Sequence, residues 1–178
     1  MTAVRMVSPD RTSLVHQAPC MREIVHSHGR YVWRLLRYLG VGDQDLEDIC
    51  QEVFTTAHRK LGDLADNGLR PWLRAICLNH AKNYRRRARR HRELLVDEMP
   101  EPVAPPSQEE GLELAHAQKL LLSLLDRLDE DCRTIFVLHR VEEMPMEQVA
   151  KIARCPLSTA YSRYRRACAG LEKALVNT

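Results

Sequence analysis

The spacing of apolar residues in the first third of the chain predicts two amphipathic helices. Between residues 21 and 40 apolar side chains recur every three or four positions, and Gly40 and Gly42 end this pattern. A second stripe runs from Leu46 to Leu61, after acidic residues that can cap a helix. These two segments therefore predict a pair of helices that bury one face each.

The rest of the chain continues the helical pattern. A polar loop is predicted at 62–70, and Pro71 then suits the first turn of a third helix. Apolar periodicity resumes at 112–138, and two shorter helices are predicted at 146–153 and 158–175. Because no segment alternates with the period of a strand, the fold class predicted is all-α.

The segment 97–111 divides this pattern. It contains four prolines, which prevent a packed element, and it predicts a flexible linker. The chain is therefore interpreted as two small helical domains, at 21–96 and 112–178. Residues 1–20 are predicted to be a disordered lead-in.

Composition favours a globular protein over a membrane-spanning or secreted one. Apolar residues make up 44% of the chain, which is enough for helical cores. No apolar run approaches the roughly 18 residues of a transmembrane helix, and the first residues lack the apolar centre of a signal peptide. A cytoplasmic protein is expected.

Cysteine and histidine positions form no recognisable metal-binding pattern. The six cysteines form no CxxC pair, which argues against a disulfide framework and a cysteine-rich zinc site. His16, Cys20, His26 and His28 cluster near the start, but their spacing matches no zinc pattern. We therefore expect no metal and no cofactor.

Charge is strongly segregated although the net charge is only +3. Five acidic and no basic residues lie between Asp43 and Glu52, whereas eleven basic and two acidic residues lie between Arg59 and Arg92. Side chains of like charge repel one another unless a partner of opposite charge is present. The phosphate backbone of a nucleic acid is such a partner for the basic segment. Trp72, with Asn79 and Asn83 on the same helix, adds groups that can stack on and hydrogen-bond unpaired bases. A merely solvated basic helix is the alternative.

The C-terminal segment predicts a helix-turn-helix. Val149, Ala150 and Ile152 are expected to pack inward, and the turn starting at Arg154 to place Leu157 in the core. Ser158 or Thr159 is expected to cap the second helix, and its exposed face carries the following side chains: Tyr161, Ser162, Arg165 and Arg166. Arginine there can read guanine edges or hold phosphates. A generic helical hairpin is the alternative.

Three motifs in order resemble those of extracytoplasmic-function sigma factors, over about residues 22–175. The first is Asp45-Leu-Glu-Asp-Ile-Cys-Gln-Glu-Val-Phe54, and the second is Trp72-Leu-Arg-Ala-Ile-Cys-Leu-Asn-His-Ala-Lys-Asn-Tyr84. The third begins at Leu125 and runs into the helix-turn-helix. The sequence departs from the family pattern with Arg154 where glycine is frequent, with Tyr161 where a basic residue is frequent, and with Leu69 in place of a phenylalanine.

The resemblance implies a role for each motif. Docking on core RNA polymerase falls to Asp45, Asp48, Gln51 and Glu52. Melting and capture of the promoter −10 element falls to Trp72, Asn79, Asn83, Arg85 and Arg86. Recognition of the −35 element as duplex falls to Thr159, Tyr161, Ser162, Arg165 and Arg166.

The implied function is that of an alternative sigma factor with no enzymatic activity. Its implied partners are the β′ and β subunits of core RNA polymerase, promoter DNA and an anti-sigma factor, which in this family is often membrane-anchored. No small-molecule substrate is implied, and the promoter sequences and the inducing signal are not encoded in any recognisable motif.

Two other functions would each account for part of the sequence. A duplex-binding regulator that works without polymerase would explain the helix-turn-helix but leave the acidic and basic helices unused. A nuclease would use Asp45, Asp48 and Glu52 as metal ligands, since their spacing places them on one helical face.

Overall fold

The first three helices pack together in one cluster in the computed structural model, which describes residues 20–64, 68–94 and 112–176. These helices are α1 (Met21–Tyr38), α2 (Leu46–Arg59) and α3 (Leu69–Leu94), with a 3₁₀ turn at Leu61–Asp63 between α2 and α3. Pro71 lies in the first turn of α3, as predicted. The described residues contain no strand, so the all-α class is confirmed.

The apolar stripes of α1, α2 and α3 meet in one core. Val32, Leu36, Val53 and Leu73 are fully buried there, which is the result expected from their helical spacing. Helix α1 ends where Gly40 takes a φ of +94°, a left-handed conformation that glycine adopts without steric cost. This glycine redirects the chain into the loop before α2.

Four further helices form the second domain: α4 (Leu112–Asp126), α5 (Glu130–Phe136), α6 (Met146–Ala153) and α7 (Leu157–Val176). The continuous apolar pattern gave no sign of the break between α4 and α5. Asp129 makes that break, because its carboxylate accepts a hydrogen bond from the backbone N–H of Cys132 at 2.9 Å and caps α5. A π-helix, Val137–Val141, extends α5 before the chain turns to α6.

The helix-turn-helix forms as predicted, but two of its expected core residues are wrong. Ile152 is 41% exposed and Leu157 is 40% exposed. Ile152 is about 160° around the helix axis from Ala150 and lies at the edge of the face of α6 that buries Val149 and Ala150. Leu157 is the first residue of α7, so its side chain leans beyond the packed part of that helix.

The turn between α6 and α7 also differs from expectation. Because α7 already begins at Leu157, neither Ser158 nor Thr159 caps it. Arg154 takes a left-handed conformation with φ 52°, which costs a non-glycine residue roughly 1–2 kcal/mol. The turn thus keeps the geometry that glycine would favour, although arginine occupies the position.

Contact between the two domains extends the first core. Leu125 and Val137 of the second domain are fully buried in the cluster formed by α1, α2 and α3. None of the described helices is long and apolar enough to cross a membrane. The lead-in predicted at 1–20, except for Cys20, and the linker predicted at 97–111 lie outside the described residues.

Candidate polymerase-docking and DNA-binding surfaces

The predicted docking residues all lie exposed along α2. Asp45 is the residue before the helix, and Asp48 and Glu52 follow on the same side at steps of three and four. Gln51 lies beside them. Within the described part of the chain, Asp48 and Gln51 have no hydrogen-bond partner for their side chains, so they are available to another molecule.

Two of these carboxylates are held by α3, which the sequence did not reveal. The hydroxyl of Tyr84 donates to Asp45 at 2.8 Å. One ring nitrogen of His80 lies 3.1 Å from Glu52, and the other lies 2.9 Å from the hydroxyl of Thr56. His80 and Tyr84 are four residues apart, so both lie on the side of α3 that faces α2.

Four of the predicted −10 residues form a stripe on α3. Trp72, Asn79, Asn83 and Arg86 follow one another at steps of seven, four and three, which keeps them on one side of a helix. Asn79, Asn83 and Arg86 are exposed, whereas Trp72 is half-buried and packs its ring partly on the core. The structure thus places these four side chains on one side of α3.

Arg85 lies elsewhere. Its side chain is only 14% exposed, and its guanidinium donates to the carbonyl of Leu39 at 2.8 Å. It also contacts Thr134 and Glu130 of the second domain. In this conformation Arg85 therefore joins the domains, on the side of α3 opposite the Trp72 stripe.

The stripe and the docking face are neighbours along α3. Asn79 and Asn83 are each followed by a residue that bonds to an acidic group near α2, namely His80 and Tyr84. Helix α3 carries nine lysines and arginines and one acidic residue, Glu93. One helix thus presents a positive surface to one side and holds the acidic helix on another.

The exposed face of α7 is the third surface. Tyr161, Ser162 and Arg165 are exposed, and Thr159 is half-buried. Arg166 is exposed but not free, since its Nε contacts the Cys132 sulfur at 3.1 Å and its Nη2 lies 3.4 Å from Asp129. Arg165 has no ion-pair partner among the described residues, which leaves it the more available of the two arginines.

Two cysteines of the first domain, Cys50 and Cys77, are thiols of raised pKa. Burial raises the pKa of Cys77 to about 12, and burial together with Glu47 raises the pKa of Cys50 to about 11, so both stay protonated thiols at neutral pH. The described residues contain no group of three or more His, Cys, Asp or Glu placed to hold a metal ion. His16, one of the four cysteine and histidine residues clustered near the start of the chain, lies outside the described residues.

Comparison with known proteins identifies the two domains. Residues 24–91 match the family described as Sigma-70 region 2, and residues 118–171 match Sigma-70, region 4. The ECF RNA polymerase sigma-E factor of Escherichia coli is 31% identical over 145 residues, which cover 74% of this chain and 73% of that protein. The chain belongs to the extracytoplasmic-function sigma factors of the sigma-70 family.

Two further relatives resemble this sigma factor over most of their length. The RNA polymerase sigma factor NccH of Alcaligenes xylosoxydans xylosoxydans is 31% identical over 160 residues, covering 86% of this chain and 85% of that protein. The RNA polymerase sigma-H factor of Pseudomonas aeruginosa is 31% identical over 150 residues, covering 74% of each.

Solved structures share the architecture of this sigma factor. CnrH in complex with the cytosolic domain of CnrY matches with a TM-score of 0.58 and 26% identity, covering 88% of each chain. RpoE in complex with the anti-sigma factor NepR, from Bartonella quintana, matches in fold with a TM-score of 0.69 and 24% identity, covering 86% of this chain and 95% of that one. As an alternative sigma factor, this protein directs promoter-specific initiation of transcription by RNA polymerase.

Proposed function

We propose that this sigma factor docks on the β′ subunit of core polymerase through the acidic face of α2, captures the melted −10 element with α3 and reads the −35 element with α7. The observation that carries the proposal is the pairing of two surfaces within one domain. An acidic face lies on α2, with the Asp48 carboxylate free and those of Asp45 and Glu52 bonded to α3. A stripe of amide and aromatic groups lies on the basic helix beside it.

The acidic face supports a basic protein partner. Asp48 and Gln51 are exposed, while Asp45 and Glu52 are positioned by Tyr84 and His80. Charged groups held in one arrangement steer association and select a complementary surface. Polymerase docking thus has both free and oriented carboxylates to use.

The α3 stripe supports capture of an unpaired base. Extracting a base from the stack costs a few kcal/mol, which contacts to the flipped base must offset. The amides of Asn79 and Asn83 can hydrogen-bond a base edge, and the exposed part of Trp72 offers a flat surface. Arg86 on the same side supplies positive charge for the strand.

The α7 face supports duplex binding. A recognition helix enters the major groove with its N-terminal residues at the base edges. Tyr161, Ser162 and Arg165 are exposed in the first half of α7, and Thr159 lies beside them. We assign to Arg165 the main contact, since Arg166 is bonded to α5.

The remaining proposals concern the domain limits, the location of the protein in the cell, its lack of catalytic activity and a further partner. The domain limits 21–96 and 112–178, with a linker at 97–111, follow the sequence pattern. We assign the protein to the cytoplasm, where the polymerase acts, and give it no catalytic activity. Both solved structures cited above are complexes with a second protein, one of them named as an anti-sigma factor. An anti-sigma partner is proposed here on that basis.

Run-off transcription tests the proposed function directly. Core polymerase, the purified sigma factor and a library of genomic promoters should give transcripts with defined start sites only when all three are present. Core polymerase alone serves as the control. Absence of sigma-dependent transcripts, together with no binding to core in a pull-down, would contradict the proposal and favour a duplex-binding regulator.

Asn79→Ala should impair promoter opening more than initial binding. The change removes an amide from the exposed stripe, and a lost base contact of about 1–3 kcal/mol corresponds to a decrease of roughly 5- to 150-fold in open complex. Permanganate reactivity of unpaired thymines measures opening, and gel shift measures total binding. Gln118→Ala, at an exposed amide of α4, is the matched control. Equal opening by both variants would remove Asn79 from the DNA-binding surface.

A further inference from the structure

Helix α7 begins with two exposed apolar side chains. Leu157, its first residue, is 40% exposed, and Tyr161, one turn later, is 44% exposed. Residues four apart lie about 40° apart around a helix axis, and each side chain leans toward the N-terminus of its helix. The Tyr161 ring therefore leans over the turn that carries Leu157. We call these two side chains the α7 apolar pair.

Positive charge surrounds the α7 apolar pair. Arg165 follows Tyr161 by one further turn, and Lys151 and Arg154 lie just before the pair, at the end of α6 and in the turn. All three are exposed and have no ion-pair partner within the described part of the chain. Between residues 146 and 167 the chain has five basic residues and one acidic residue. This balance favours the phosphate-bearing surface of DNA as the partner over an apolar protein surface.

The position of the pair also points to DNA bases. A recognition helix places the residues of its N-terminal part against base edges in the major groove. Single exposed apolar side chains are common on protein surfaces and need no partner. Two neighbouring ones at the start of a recognition helix occupy the part of the helix where base contacts are made.

Arginine and apolar side chains recognise different base edges. Arginine donates hydrogen bonds to O6 and N7 of guanine, whereas thymine carries a methyl group at C5, which apolar side chains recognise by contact. Leu157 and Tyr161 offer carbon atoms and a single hydroxyl. Their chemistry therefore matches the thymine methyl group, and that of Arg165 matches guanine or a phosphate.

We propose that the α7 apolar pair recognises a thymine methyl group in the −35 element. The proposal rests on the proposed function, because it requires α7 to lie in the major groove of that element. Tyr161 and Arg165 are separated by about 6 Å along the helix axis, which is close to two base-pair steps of about 3.4 Å each. The thymine is therefore expected about two base pairs from the position contacted by Arg165.

Selection from a promoter library randomised across the −35 element tests the proposal. Core polymerase with the full-length sigma factor should enrich promoters that carry thymine at one fixed position. Deoxyuridine at that position then removes only the methyl group. Binding should fall about fourfold, which corresponds to about 0.8 kcal/mol for one buried methyl group. Deoxyuridine in place of a thymine upstream of the element is the matched DNA control and should leave binding unchanged.

Variants of the pair connect this methyl group to α7. With Tyr161→Ala, thymine should no longer be enriched, and binding should no longer respond to deoxyuridine. Tyr161→Phe removes the hydroxyl but keeps the ring, so the preference for thymine should be retained. Ile152→Ala is the matched control, because it truncates an apolar side chain that is equally exposed but lies on α6. It should enrich the same thymine as the unmodified protein.

Tyr161→Arg tests the proposal by a change of preference rather than a loss. An arginine at this position can donate two hydrogen bonds to guanine, so the enriched base should change from thymine to guanine. This variant also provides the test if Tyr161→Ala fails to fold by circular dichroism.

Two results would overturn the proposal while leaving the proposed function intact. The first is a selected −35 element that depends on Arg165 but has no thymine whose methyl group affects binding, which would indicate recognition of DNA shape. The second is a folded Tyr161 variant, with alanine or arginine, that keeps the preference for thymine. Failure of the unmodified holoenzyme to select any −35 sequence would contradict the proposed function of α7, and the thymine contact with it.

Discussion

Replacing Asp48 and Glu52 together by lysine should lower the affinity for core RNA polymerase at least a hundredfold. Loss of one partner of a buried charge pair at an interface typically costs 2–5 kcal/mol, and a like charge in its place adds repulsion. A hundredfold change corresponds to about 2.8 kcal/mol, so the expectation is well within that range. Both side chains are exposed, and the helical content of the protein should be unchanged.

Glu47→Lys separates docking from helix electrostatics in this experiment. Glu47 and Asp48 both lie in the first turn of α2, where acidic residues stabilise the helix dipole to a similar extent. They face different sides of the helix, because consecutive residues are 100° apart. Asp48→Lys alone should weaken binding, measured by fluorescence anisotropy with labelled polymerase, and Glu47→Lys should not. Equal effects of the two single changes would show that only net charge matters.

Leu73→Ala should lower the free energy of unfolding of the first domain by about 2–5 kcal/mol. Leu73 is fully buried on α3 among the apolar side chains of α1 and α2. Its truncation removes apolar contacts and leaves a cavity that the surrounding helices only partly fill. Urea unfolding followed by circular dichroism measures the change.

Leu120→Ala is the control for Leu73→Ala. Leu120 is 38% exposed on α4, so the same truncation removes less buried apolar surface and should cost less. Because the docking face and the −10 stripe both depend on α3, Leu73→Ala should also reduce transcription as temperature rises. Comparable losses for the two variants would mean that α3 contributes less to the core than its burial indicates.

Features that depend on helical periodicity could be predicted from the sequence. The acidic face of α2 and the stripe from Trp72 to Arg86 follow from residue spacing once both segments are helices, and the structure has both helices. The same periodicity places Ile152 close to Val149 but far around α6 from Ala150. Its position relative to the core therefore depends on how α6 packs, and the structure leaves it 41% exposed.

Contacts between distant residues could not be predicted in this way. Glu142 and Tyr31 are 111 positions apart, and nothing in the neighbourhood of either residue indicates the other. The contacts of Tyr84 and Arg85 could not be predicted for the same reason, because the sequence around each residue shows only a basic helix. Only tertiary packing shows that Tyr84 holds Asp45 and that Arg85 contacts the second domain.

The alternation along α3 ties promoter choice to polymerase affinity. Asn79 and Asn83 each precede a residue bonded to an acidic group near α2, so a small roll of the helix about its axis moves both sets of side chains in concert. During divergence of related factors, a substitution that retunes −10 specificity by shifting α3 therefore disturbs docking as well. Compensating substitutions are expected on α2. To transfer −10 specificity from one sigma factor to another, α2 and α3 should therefore be exchanged together.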